Sequence, residues 1–247
     1  MRPIDRGSCP VDSTGTRIVF RDYAHARPGL IENLGDFCSY CGMQLGASLA
    51  TEHIRHKDKN PALECEWSNF LLACTNCNST KGTKIDTQAD VDERLWPHLH
   101  RTFDAFDYER GGVVRVAKNP TLATRARATE AMVGLSKRPS FGLTQEQLLR
   151  GSDRRWKKRS EAWDIATECR QDLRQSGSPE VRKLVLKSVL KLARTNGFWS
   201  VWMTVFADDQ EVCRQLCAPE VFPGTAQKRV FSTPPMPSTA QGQADAG

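Results

Sequence analysis

No stretch of this 247-residue chain stays apolar long enough to span a bilayer. The longest apolar cluster, Phe198 to Phe206, is broken by Ser200 and Thr204. The opening Met1-Arg-Pro-Ile-Asp-Arg-Gly lacks the apolar core of a secretory signal, so a cytoplasmic location without membrane contact is expected. No segment recurs at a fixed period, which excludes solenoids and propellers. From about Ser232 the chain is mostly Pro, Ser, Thr, Ala, Gln and Gly. Such a composition buries too little apolar surface to fold, and 232–247 is expected to be a disordered tail.

What is present begins with a hydrophobic content of 39%, enough for the core of one large domain or two small ones. The net charge of +6 is unevenly placed: Arg115 to Arg194 holds 19 Lys/Arg against 8 Asp/Glu. A basic segment beside a net-acidic remainder fits a polyanion-binding protein, and it fits a solvated helical surface as well. The nine cysteines are an odd number, so no disulfide scheme pairs them all. In a cytosolic chain, paired C-x-x-C spacing points instead to metal.

The pairs are Cys38-Ser-Tyr-Cys41 and Cys74-Thr-Asn-Cys77, with 32 residues between them. Each C-x-x-C turn sets two thiolates on one side of a knuckle, and two knuckles complete a tetrahedral zinc site. Four protein ligands leave no open position, so the zinc would be structural. Redox C-x-x-C chemistry is the alternative, but it normally uses one pair in a strand–helix setting. Cys9, Cys65, Cys169, Cys213 and Cys217 lack such partners. Cys213 and Cys217, four apart, read as buried small apolar residues.

The chain divides into a lead segment (1–36), a core with the knuckles and a following hairpin (37–117), a basic helical region (118–231) and the tail. Phe20 to Leu34 suggests a short helix that Pro28-Gly29 would interrupt. Residues 103–117 read as two strands joined at Gly111-Gly112. Trp156, Trp163 and Leu173 suggest a helix from about Ser152 to Gln175. Ser178-Pro179-Glu180 is a helix start, Gly197 a stop, and Val181, Leu184, Val185, Val189 and Leu192 follow helical spacing between them. Trp199, Trp202, Met203 and Phe206 share one helix face. Core packing accounts for these tryptophans better than base stacking does.

Between and after the knuckles the sequence runs Thr51-Glu52-His53-Ile54, then Trp67-Ser-Asn69-Phe-Leu-Leu-Ala-Cys74, then Cys77-Asn78-Ser-Thr-Lys81-Gly82. In order and spacing this resembles the HNH nucleases, also called ββα-metal or His-Me finger enzymes. Phosphodiester hydrolysis needs an activated water, a cation at the phosphate and help for the leaving oxygen. An imidazole suits the activation of water, and a carboxylate with an amide oxygen suits Mg²⁺ or Mn²⁺. The resemblance implies Glu52 (usually Asp in the family) as a ligand of the catalytic metal and His53 as general base. It implies Asn69 as the residue tying the loop together, Asn78 in the last metal-ligand position where other members have His, and Lys81 as a phosphate contact. Arg55 and Lys57 are candidates for the DNA backbone, and His56 for an assisting role.

The implied fold is α+β: a small zinc-stapled ββα-metal core followed by a mainly helical region. Glu52 and His53 would lie on or beside the hairpin, Asn69 in the connection to the helix, and Asn78 on the short helix after the second knuckle. The opening decapeptide, the phrase Leu63-Glu-Cys-Glu-Trp67-Ser-Asn69 and the stretch from Ala128 to Leu135 further resemble bacterial HNH components of Septu-type and retron-associated anti-phage systems. Those work beside an ATPase partner. The expected activity is endonucleolytic hydrolysis of DNA, with RNA left open. Taken singly, His53, Asn69 and Asn78 each have bland readings as a packed histidine, a turn residue and a helix cap. The rival for the whole chain is a non-catalytic zinc module that binds nucleic acid or a protein; a subunit with a decayed nuclease motif is a weaker third.

Overall fold

A computed structural model describes residues 1–138 and 153–231. The expected tail, 232–247, lies outside the described residues.

The first knuckle is a tight turn: the Cys38 N–H donates to the Met43 carbonyl at 2.9 Å, and the Gly42 N–H donates back to the Cys38 carbonyl at 2.9 Å. The chain then enters β1 (Ala50–His53), which pairs antiparallel with β2 (Phe70–Ala73), His53 opposite Phe70 and Ala50 opposite Ala73. All four residues of β2 are buried, which explains why Phe-Leu-Leu-Ala shows no polar alternation. Cys74 caps α2 (Thr75–Lys81), its sulfur accepting the Cys77 N–H at 3.4 Å. The second knuckle is therefore the first turn of the helix, and Asn78 follows Cys77 within it. Asn69 lies in a short 3-10 turn, Trp67–Asn69, that leads into β2. It belongs to the connection between the strands, not to the expected connection into the helix, because β2 intervenes before α2 begins.

Upstream, a 3-10 turn (Tyr23–Ala26) runs into α1 (Arg27–Leu34). Pro28 falls in the first turn of α1, where its missing N–H has no helical partner to lose, so it starts the helix instead of interrupting it. Downstream come α3 (Gln88–Asp92) and the expected hairpin, β3 (Phe106–Glu109) against β4 (Val113–Val116). Then follow α4 (Ala123–Val133), α5 (Arg155–Gln175), α6 (Pro179–Asn196), α7 (Trp199–Val205), α8 (Gln210–Leu216) and α9 (Gln227–Phe231). None of the described helices is long and apolar enough to cross a membrane.

The later helices fasten to the rest of the fold at several points. The Gly111-Gly112 turn packs on α5 so closely that a Cβ at Gly112 would lie 1.9 Å from the Trp156 carbonyl oxygen. The first knuckle meets the α6–α7 junction, where Phe198 donates its N–H to the Gly42 carbonyl at 2.6 Å and Gly197 pairs with Met43. Gly197 has φ +71°, and a Cβ there would stand 2.6 Å from the Gln44 nitrogen, so both conformation and space require glycine. The start of the chain threads between its later parts. Ile4 bridges Thr225, Asp5 donates to the Gly224 carbonyl at 2.7 Å, and Arg2 reaches the carbonyls of Pro223 and Leu34 at 2.7 and 2.8 Å.

Trp199, Trp202, Phe206 and Cys217 are fully buried and Cys213 is buried, so these side chains pack the core. In the helical region the expected spacing of α6 holds, and the expected core packing of Trp156 and Trp163 is corrected to half-burial. In α6 the buried residues are Leu186, Val189 and Ala193, while Val181, Leu184 (67% exposed) and Leu192 face solvent. The helical period holds, and α6 meets α5, α7 and α8. In α5 the buried stripe is Arg155, Arg159, Ala162, Ala166, Cys169 and Leu173, with Trp156 and Trp163 only half-buried beside it. Two of the cations counted toward a basic surface thus point into the protein.

Candidate active site

Strand geometry separates the two neighbours at the end of β1. Successive side chains leave a strand on opposite faces. Glu52 turns toward α2, where the Lys81 ammonium lies 2.8 Å from its Oε1. His53 turns the other way, toward the Tyr23 ring at 4.8 Å and the Phe70 ring at 5.3 Å, both edge-on.

The hydrogen bonding of His53 fixes its tautomer. Nε2 lies 2.8 Å from the carbonyl oxygen of Glu64, which can only accept, so Nε2 carries the hydrogen. In the neutral ring the lone pair is then on Nδ1. Burial lowers the imidazole pKa below its ordinary value; the bond to Glu64 opposes that, and the nearby charges of Lys57 and Lys81 assist it. The ring is therefore neutral and able to accept a proton at neutral pH.

Asn69 is buried and spans the loop between the strands. Its Oδ1 accepts the Arg55 N–H at 2.8 Å, and its Nδ2 donates to the carbonyls of Arg55 and Leu63 at 3.0 and 3.2 Å. The carbonyl that orients His53 belongs to Glu64, the residue after Leu63, so the Asn69 amide holds both ends of the loop that carries the ring's acceptor.

Lys81 is 1% exposed and also donates to the His53 carbonyl at 2.7 Å. An ammonium so enclosed does not reach a phosphate, and the expectation of a direct substrate contact is revised: Lys81 braces the hairpin against α2 from inside. Burial raises the Glu52 carboxyl to about 7, with the attraction of Lys81 acting against that rise. Asn78 and Lys81 are one turn apart on α2 and share a face. Removing one member of a buried ion pair strands the other. Lys81→Met should accordingly cost about 3–5 kcal/mol in urea unfolding, and adding Glu52→Gln should recover much of it. A cost for Lys81→Met below about 1 kcal/mol would show that Glu52 is not a confined charge.

Of the other candidates, Arg55 and Lys57 are already engaged. Arg55 donates to the Asn60 side chain and to the Asp86 carbonyl. Lys57 pairs with the Glu64 carboxylate at 3.1 Å and lies over the Tyr23 ring, 4.7 Å from its centre. His56 Nδ1 is 3.8 Å from Asp58 Oδ2. Tyr23 and Glu64 complete the setting of His53, and sequence reasoning missed both. Tyr23 is distant in sequence, and Glu64 acts through its backbone, which leaves no mark in residue type.

The four knuckle sulfurs lie within 4.8 Å of one another, and Cys41 and Cys74 are 3.8 Å apart. Tetrahedral zinc with bonds of about 2.3 Å sets its sulfurs about 3.8 Å from each other, so the cluster fits a structural Zn²⁺. Among the described residues this is the one group of three or more His, Cys, Asp or Glu side chains gathered closely enough to hold a metal. Glu52 and Asn78 would offer a catalytic ion one carboxylate and one amide oxygen. Glu52 Oε1 is buried without an aligned hydrogen bond, as expected of a ligand awaiting a cation, although Lys81 already supplies a positive charge there.

No curated protein matches the chain. The knuckles, the hairpin and α2 together do have a counterpart among known families: residues 38–84 match the family model of the HNH endonuclease, which supports a nuclease acting on nucleic acid.

Proposed function

We propose that the protein is a metal-dependent endonuclease that hydrolyses DNA phosphodiester bonds with His53 as general base. One observation carries this reading: the Glu64 carbonyl fixes the Nε2–H tautomer and presents an unprotonated Nδ1. Nδ1 takes a proton from the attacking water, and Nε2–H keeps its bond to Glu64 as the ring becomes charged. Glu52 and Asn78 would hold one divalent ion, Mg²⁺ or Mn²⁺, which would supply positive charge at the scissile phosphate and the leaving oxygen. Arg55 and Lys57 border the His53 loop and would meet the backbone of the substrate by exchanging their present partners for phosphate. The looser resemblance to Septu-type and retron-associated components supports a role in bacterial anti-phage defence beside an ATPase partner.

Plasmid cleavage by the zinc-loaded protein, freed of other divalent ions and then supplied with Mg²⁺ or Mn²⁺, tests this reading. The rate should fall as pH drops through the His53 pKa, since protonation removes the base. Because burial lowers that pKa, activity should persist to a lower pH than an ordinary histidine, near 6.5, would allow. A rate flat across the acid range would count against His53. The competing reading, a zinc module that binds without cutting, is favoured by the way Lys81 already neutralises Glu52. Binding of DNA and RNA with no cleavage of either, metal and partner supplied, would decide for it.

A further inference from the structure

The guanidinium of Arg155 is 2% exposed at the start of α5, and each of its donor nitrogens is occupied. Nη1 donates to the Cys77 sulfur at 2.9 Å and to the Val133 carbonyl at 2.9 Å. Nη2 donates to the Gly134 carbonyl at 2.9 Å and to Asp153 at 2.6 Å, and Nε to Asp153 at 2.9 Å. Val133 and Gly134 close α4, so the cation also faces the negative end of a helix. Asp153 alone would neutralise it. The contact to sulfur is additional, and it points at the thiol cluster.

A Zn²⁺ held by four thiolates carries a net charge of −2, which is costly in a buried site unless donors surround it. The Cys77 N–H supplies one donor, to the Cys74 sulfur. Arg155 supplies a charged one, from a helix that begins 78 residues beyond Cys77. We infer that Arg155 is an outer-sphere cation of the zinc centre, donating to the Cys77 sulfur and joining the metal to α5. The planar fork of the guanidinium suits this position, because one nitrogen serves the sulfur while the other two lock onto α4 and Asp153. The compact ammonium of a lysine cannot make all of these contacts at once.

Zinc competition against a chromophoric chelator, using the full chain, tests the inference. Loss of such a partner typically weakens metal binding by about 10- to 100-fold, and Arg155→Met should fall in that range. Arg159→Met is the control. Arg159 is equally buried and donates to the Gly112 and Leu135 carbonyls, but touches no sulfur. It should loosen packing and leave zinc affinity within about twofold of wild type, well short of the effect of losing a metal-site partner. Arg155→Lys, which keeps the charge and loses the fork, should weaken zinc binding less than Arg155→Met and shift the thiolate-to-metal band of the Co²⁺-substituted protein. Equal zinc affinities for Arg155→Met and wild type, or equal losses in Arg155→Met and Arg159→Met, would overturn the inference. If Arg155→Met does not fold, Arg155→Lys decides: unchanged affinity with an unshifted band overturns it, and a change in either supports it.

Discussion

His53→Ala is expected to slow DNA cleavage by about 100- to 10,000-fold, the usual contribution of a positioned general base. The loss should appear in the chemical step, because the ring sits between Tyr23 and Phe70 with Nε2 tied to a backbone carbonyl and is poised to take a proton. Truncation also leaves the Glu64 carbonyl without its donor, at a cost of about 1–3 kcal/mol. Zinc content and the circular dichroism spectrum must therefore be measured with the rate. A variant that keeps its zinc and its fold but loses cleavage assigns the base. One that still cuts at the native rate would falsify that assignment, and the search would move to His56.

Zinc removal should produce the largest effect on the fold. Binding of structural zinc contributes roughly 10–16 kcal/mol in zinc-finger peptides, comparable to or larger than the net stability of about 5–15 kcal/mol of a typical domain. The knuckles hold the first turn of α2 and the turn that meets Gly197 and Phe198, so their release loosens both sides of the candidate site. Burial pushes the Cys77 thiol well above the ordinary range, and the hydrogen bond to Cys38 does the same to Cys41. Without zinc these groups hold their protons, so zinc uptake should release protons and weaken as pH falls. Chelation should expose the four thiols to a colorimetric reagent without denaturant and abolish cooperative thermal unfolding. Cys74→Ser should behave in the same way. A chelated protein with an unchanged melting curve would mean that the thiols pack without metal.

The parts of this architecture that were legible in the sequence are those whose chemistry is local. C-x-x-C pairs announce their ligands by spacing, and Ser178-Pro179 with Gly197 marks both ends of α6. The order of Glu52, His53, Asn69 and Asn78 placed them on the elements of a ββα unit, apart from the position of Asn69. What stayed hidden depends on how elements meet. The inward turn of Lys81 follows from the packing of α2 on β1, and the partner of His53 is a backbone carbonyl. Arg155 looked like one more cation in a basic stretch, because sequence does not distinguish a buried guanidinium from a solvated one. The buried face of α6 was not legible for a related reason: its apolar residues cover more than one side, and only the neighbouring helices select which side is enclosed.

The pairing of Ile4 with Thr225 has a consequence for the order of events during synthesis. A ribosome makes Arg2 and Ile4 first and their acceptors near Pro223 and Thr225 more than 200 residues later. At about 5–20 residues per second, that interval lasts roughly 10–45 seconds. Cys38 to Cys77 emerge early in it and can take up zinc, while the contacts of Arg2, Ile4 and Asp5 to Pro223, Gly224 and Thr225 wait. The nascent ββα unit thus keeps one flank open for that interval, and closes it only when Pro223 to Thr225 arrive.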